Sequence, residues 1–119
     1  MRSAAFFRAF WPLAAAATLL HPVASGAEEV RLRAEIRDGA LVAETDTQRV
    51  REGQTVTITW TADRPTELHL HGYDLGATAT PEAPGVMRFE ASLPGRFPVE
   101  VHAPDGGHDV VLYIEVRPQ

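Results

Sequence analysis

The chain has 119 residues and a formal net charge of −5, and it contains neither cysteine nor lysine. Without cysteine there can be no disulfide, thiolate metal ligand or thiol nucleophile, and without lysine there can be no Walker-type phosphate loop. The acidic balance argues against binding nucleic acid or anionic lipid through a basic face, because such binding needs clustered Lys and Arg.

The N-terminus has the pattern of an export signal. Arg2 and Arg8 form a positively charged start, residues 12–20 are apolar, and Ser25 and Ala27 occupy the small-residue positions that a signal peptidase reads. The apolar stretch is shorter than the roughly 20 residues of a membrane span. We predict cleavage after Ala27, no stable membrane insertion of the mature protein, and a periplasmic or secreted location; a retained N-terminal anchor is the alternative.

The predicted mature chain, residues 28–119, is long enough for one domain with one core. Period-two alternation predicts about seven short strands, over residues 30–36, 41–42, 55–60, 66–75, 86–92, 97–102 and 110–116. Turn signals such as Asp38-Gly39 and Pro94-Gly95 separate them, and residues 76–85 are predicted as a long connection. This spacing predicts an all-β, antiparallel Greek-key sandwich, and the lack of a strand-helix-strand unit argues against a parallel sheet.

The order of four phrases in the chain is similar to that of a cupredoxin-like domain of the plastocyanin and azurin type. The phrases are RVREGQTVTITW, LHLHGYDL, FEASLPGRFPVEVH and VLYIEVRP, and they cover nearly all of residues 48–118. The resemblance is closest to exported single-domain proteins of this type, including the kind attached to periplasmic iron-uptake proteins. It implies the cupredoxin-like sandwich and directs attention to copper.

The resemblance also shows which blue-copper ligands the chain lacks. His71, followed by Gly-Tyr, matches the first ligand position, and His108 stands for the second histidine. The cysteine position falls on Val101, and no methionine follows His108 in the chain. A blue-copper site needs a thiolate in a His₂Cys set, so ordinary blue-copper electron transfer and a thiolate-bridged dinuclear centre are both excluded.

Four histidines follow residue 27, and they are the candidate metal ligands: His69, His71, His102 and His108. The alternation puts the first two on one face of a strand, about 6.5 to 7 Å apart. If all four gather at one place, they could form a type-2-like, histidine-ligated site for Cu(II) or Zn(II). An additional oxygen ligand would come from Asp74, Asp105 or Asp109.

The same pattern also allows a simpler interpretation, in which the His-x-His pair is the solvated face of a strand. Alternation places Val101 on the core face of its strand, so His102 should project outward. This counts against His102 pointing toward His71. In the last strand, alternation assigns the core face to Val110, Leu112, Ile114 and Val116.

Enzymatic chemistry has the least support in the sequence. The acidic residues are not paired in the sequence for acid/base catalysis, and Ser92 lacks the sequence motif of a catalytic nucleophile. Trp60, Phe89 and Phe97 alternate in phase with aliphatic residues, so they are predicted to pack in the core. We therefore expect a non-enzymatic exported domain that binds copper or another divalent metal through histidines for periplasmic metal handling. The alternative is a metal-free interaction module for an unknown protein partner.

Overall fold

The computed structural model describes residues 28–103 and 105–119, and the predicted signal peptide lies outside them. The described residues form nine strands and no helix: β1 (Glu29–Arg37), β2 (Ala40–Leu41), β3 (Thr47–Arg51), β4 (Thr55–Ala62), β5 (Thr66–Leu70), β6 (Leu75–Ala79), β7 (Gly85–Glu90), β8 (Gly95–His102) and β9 (His108–Arg117). This part of the chain thus offers no helix that could cross a membrane.

The strands form two sheets, one of four strands in the order β2-β1-β4-β7 and one of five in the order β3-β9-β8-β5-β6. The predicted all-β sandwich is confirmed. The pairing differs in one respect, because β1 pairs with β4, and β3 with β9, in parallel. The chain crosses to the other sheet to form β3 and then comes back to form β4, which runs in the same direction as β1. Both sheets therefore contain parallel as well as antiparallel pairs.

Two strands of the nine, β3 and β6, were not expected from the sequence. In β3 only Val50 is buried, and β6 runs through the first part of the segment that was predicted to be a long connection. Each lies at an edge of the five-stranded sheet and is held by one neighbouring strand. An edge strand is stabilised largely by main-chain pairing, so its side chains need not show the apolar alternation that identifies a central strand.

The inward faces of the two sheets enclose one apolar core. Its largest fully buried side chains are Trp60, Ile36, Ile58, Leu70, Met87, Ile114, Val56 and Val99. Phe89 is buried as predicted, whereas Phe97 is partly buried and packs against the core. Because the chain has no disulfide, stability depends on this burial, at about 1.5–3 kcal/mol for each large apolar side chain.

Tyr73 holds one end of the sandwich together. Its ring centroid lies 4.8 Å from that of Phe89 and 4.9 Å from that of Phe97. Its hydroxyl donates to the carbonyl oxygen of Leu93 at 2.9 Å and accepts from the Leu93 amide at 3.1 Å. Burial raises the pKa of the Tyr73 phenol, while the hydrogen bond donated by the Leu93 amide opposes that shift. The turn after β5 is thus pinned to the β7–β8 connection.

Gly72 in this turn combines a left-handed backbone with a close contact. Its φ is +85°, and a Cβ built there would lie 2.2 Å from Cδ1 of Phe97. A side chain at this position would therefore be strained by the backbone and would also collide with the aromatic ring.

We predict that Gly72→Ala destabilises the fold much more than Gly39→Ala. Gly39 also has a left-handed φ, +76°, but a Cβ there meets nothing within 4 Å. Both substitutions should cost about 1 kcal/mol for the backbone conformation, and Gly72→Ala a further ~1–3 kcal/mol for the clash. Urea unfolding measures both, and equal losses would show that Phe97 simply moves aside.

We predict that Tyr73→Phe lowers the free energy of unfolding by about 1–2 kcal/mol near neutral pH, because two hydrogen bonds are lost while the ring is kept. Tyr113→Phe is the control, since Tyr113 contributes its ring face to Arg96. With the pKa of Tyr73 raised on folding, its contribution is complete below about pH 10 and declines as the pH rises further. The difference from wild type should shrink in alkali; a constant difference up to pH 11 would contradict the assignment.

Candidate metal centre

All four candidate histidines lie on the outer face of the five-stranded sheet. In β5, Leu68 and Leu70 are buried, so His69 and His71 project outward at the end of the strand and just after it. In β8 the same alternation sends His102 outward. Since β5 and β8 are hydrogen-bonded neighbours, the outward direction brings His102 onto the face of His71. The objection drawn from its phase is therefore wrong.

His108 reaches this face through a β-bulge in β9. Val99 pairs with Leu112, but the next residue, Glu100, pairs with Val110, so Val111 is left without a partner. Val111 and Leu112 are both buried, whereas Val110 is 43% exposed. The predicted core position of Val110 is therefore wrong, because the extra residue inverts the alternation before it. His108 consequently pairs with His102 on the outer face.

The histidines form two close pairs of rings. The ring centroids of His69 and His71 are 4.5 Å apart, and those of His102 and His108 are 4.4 Å apart. Both pairs meet edge to face. The structure thus brings the four predicted ligands together as two pairs on one surface.

Glu100 lies between the two pairs and is the residue that the sequence did not reveal. Its Oε2 is 2.9 Å from Nε2 of His71 and 3.6 Å from Nδ1 of His108. Its side chain is only 22% exposed. We call the set of His71, Glu100 and His108 the Glu100 cluster. The signal that could have identified Glu100 is its outward phase between two core valines, on the strand predicted to carry His102.

Two further carboxylates contact the remaining histidines. Asp74 Oδ1 is 3.1 Å from Nε2 of His69, and Glu67 Oε2 is 3.5 Å from Nδ1 of His102. Of the three aspartates considered as oxygen ligands, Asp74 thus lies at the histidines. Asp105 accepts a hydrogen bond from the Gly107 amide in the β8–β9 loop.

Asp109, the third candidate, belongs to a different part of the surface. It pairs with Val101 in the β8–β9 ladder and lines a depression with Asp38, Glu44 and Asp46. Neither Asp105 nor Asp109 forms an ion pair with a histidine within the part of the chain that the structure describes. An oxygen ligand for the histidines would therefore come from Glu100, Asp74 or Glu67.

The side chains form ion pairs and hydrogen bonds, and they do not form a finished coordination shell. Among residues 28–103 and 105–119, no three His, Asp or Glu groups are already arranged to hold a metal ion. Adjacent donors at about 2.0 Å from one ion are about 2.8 Å apart in a square plane and about 3.3 Å apart in a tetrahedron. The contacts of 2.9 and 3.6 Å around Glu100 are close to these spacings.

The position at which the resemblance implies a cysteine is part of the core. Val101 is 4% exposed and pairs with Leu68 in the adjacent strand. Its side chain therefore points to the opposite side of the sheet from the histidines. An ion held by the histidines would lie on the outer surface of one sheet.

Comparison with known proteins identifies the fold. No model of a known protein family matches the chain, and no curated protein matches it in sequence. A chain of a heme-copper terminal oxidase dimer, solved by cryo-EM, is similar with a TM-score of 0.64 and 21% identity, over 80% of this chain and 68% of that one.

Two smaller solved structures are similar over nearly their whole length. Auracyanin A, a "blue" copper protein from Chloroflexus aurantiacus, matches with a TM-score of 0.57 and 14% identity, over 75% of this chain and 99% of its own. A copper binding protein in the apo form, solved by NMR, matches with a TM-score of 0.59 and 11% identity, over 77% of this chain and 91% of its own. At these identities, the likeness concerns the fold.

We predict that Val101→Cys does not create a blue-copper site. A thiolate at that position would face the core, on the other side of the sheet from the histidines, so Cu(II) should give no intense thiolate-to-copper absorption in the visible range. Val110→Cys is the control, because Val110 is exposed and pairs with Glu100; this variant should show such a band. A band in Val101→Cys alone would contradict the surface location of the histidine site.

Proposed function

We propose that this chain, whose fold is the cupredoxin-like β-sandwich, binds copper or another divalent metal ion through surface histidines and serves metal handling outside the cytoplasm. The observation that carries the proposal is the convergence of His71 and His108 on one carboxylate oxygen of Glu100. These two histidines come from separate parts of the chain, and only the pairing of β5, β8 and β9 brings them to one point.

The donor chemistry favours Cu(II) or Zn(II). Imidazole nitrogen and carboxylate oxygen are ligands for both ions, and Cu(II) stands highest among divalent ions in general affinity for such donors. The absence of cysteine from the whole sequence removes the thiolate on which blue-copper electron transfer depends. A type-2-like copper site is therefore the form that we propose.

The exposure of the ligands favours exchange of the ion over permanent retention. The side chains of His71 and His108 are about half exposed, so water and a second protein could reach the ion. A structural metal site is instead closed by four protein ligands. Together with the predicted export signal, this supports a role in binding and passing on metal, without an enzymatic reaction. We also propose that the chain is related to the cupredoxin-like domains attached to periplasmic iron-uptake proteins.

One observation favours a second candidate, the metal-free interaction module. Every one of the four histidines already has a carboxylate partner, so each imidazole has a polar contact in the absence of an ion. The open edges at β3 and β6 could pair with a strand of a protein partner. Metal titration separates the two candidates, because this second one requires no metal affinity.

We predict that the purified protein binds Cu(II) more tightly than about 10 µM in isothermal titration calorimetry. Glu100→Gln should weaken binding at least about tenfold, because the neutral amide loses the charge that attracts the ion, and His71→Ala should act similarly. Glu90→Gln, on the exposed face of β7, is the matched control and should bind as wild type does.

Acid should weaken the same binding, because protons compete with the metal for the imidazole nitrogens. Binding weaker than about 10 µM in the wild type, or equal binding by Glu100→Gln and Glu90→Gln, would contradict the proposed site.

A further inference from the structure

Beside the Glu100 cluster, the same outer face contains a depression of about 480 Å³. Residues of β5, the edge strand β6 and the end of β8 line it: Glu67, Leu68, His69, Gly76, Ala77, Thr78 and His102. Gly76 is the strand partner of His69, and its lack of a side chain leaves the space above it open. The depression is thus bordered by two histidines and a glutamate.

Three polar side chains, Glu67, His69 and His102, line the depression, and Asp74 contacts one of them, His69. Nδ1 of His102 is 3.5 Å from Glu67 Oε2, and Nε2 of His69 is 3.1 Å from Asp74 Oδ1. These distances lie near the separation of about 2.8 to 3.3 Å between adjacent donors on one ion. The four side chains are from 32% to 98% exposed, so an ion in the depression could reach them from solvent.

These four side chains are separate from the Glu100 cluster, although they touch it. Each histidine of one set packs edge-on against a histidine of the other, at 4.5 and 4.4 Å between ring centroids. Ions in both places would repel each other, and the carboxylates of Glu67, Asp74 and Glu100 would offset most of that charge. The face therefore has enough nitrogen donors and enough negative charge for two ions.

We propose that a second divalent metal ion binds to His69, His102, Glu67 and Asp74, so that each chain carries two ions on this face. The inference rests on the proposed function, in that the Glu100 cluster must hold the first ion. It replaces a single site shared by four histidines with two neighbouring sites of two histidines each.

The test is a titration of the purified full chain with Cu(II), in which native mass spectrometry counts the ions and calorimetry gives the affinities. The wild type should bind two. The double variant Glu67→Gln/Asp74→Asn removes both charges of the second site and touches none of the Glu100 cluster. It should lose the second ion, or bind it at least about tenfold more weakly, and keep the first within about threefold. Glu100→Gln should do the reverse.

Electron paramagnetic resonance measures the coupling between the two Cu(II) ions, which a purely structural effect of the substitutions would not remove. Two Cu(II) ions on neighbouring histidines should show spin coupling in the wild type, and the double variant should give an isolated Cu(II) spectrum. Circular dichroism verifies that the variants are folded.

The outcomes distinguish this inference from the proposed function. Two ions with the expected effects of both variants support the inference. One ion that is unaffected by Glu67→Gln/Asp74→Asn overturns it and leaves the proposed function standing. One ion that is weakened by both variants shows a single shared site and also overturns it. No bound ion overturns the inference together with the proposed function.

Discussion

The apolar packing between the two sheets is the constraint on which the remaining structure depends. With no disulfide in the chain, the domain is held by side chains such as Trp60, Ile58 and Leu70, which are completely buried. In a strand, each buried position commits its neighbours to the opposite face. The burial of Leu68, Leu70 and Val99 therefore determines that His69, His71 and Glu100 share one outer surface.

A single extra residue completes that surface. Leu112, Ile114 and Val116 are buried, so without the bulge at Val111 strict alternation would turn both Val110 and His108 toward the core side of the sheet. The bulge allows Val111 and Leu112 both to be buried and sets His108 opposite His102. Bulges often re-aim a side chain next to a functional site, and here the re-aimed side chain contacts Glu100.

The fold of this protein is similar to that of copper proteins, whereas its candidate site differs from a blue-copper site. The likeness to copper proteins extends over the sandwich, yet the position that would carry a cysteine is occupied by Val101 and packed into the core. The polar groups are instead collected on the outside of one sheet, where carboxylates orient the imidazoles and supply negative charge. Chemistry of this kind depends on particular side chains grafted onto a fold, so the fold alone does not define it.

The sequence by itself determined the all-β class, the single core and the candidate histidines, because alternation and turn residues are local signals. It also excluded thiolate chemistry, since that follows from composition. It did not reveal β3 and β6, whose pairing at the sheet edges comes from main-chain groups common to all residues. Only the tertiary structure decided that Glu100 lies between His71 and His108. The register of three strands and a one-residue bulge bring these distant positions together, and no local sequence pattern predicts the register or the bulge.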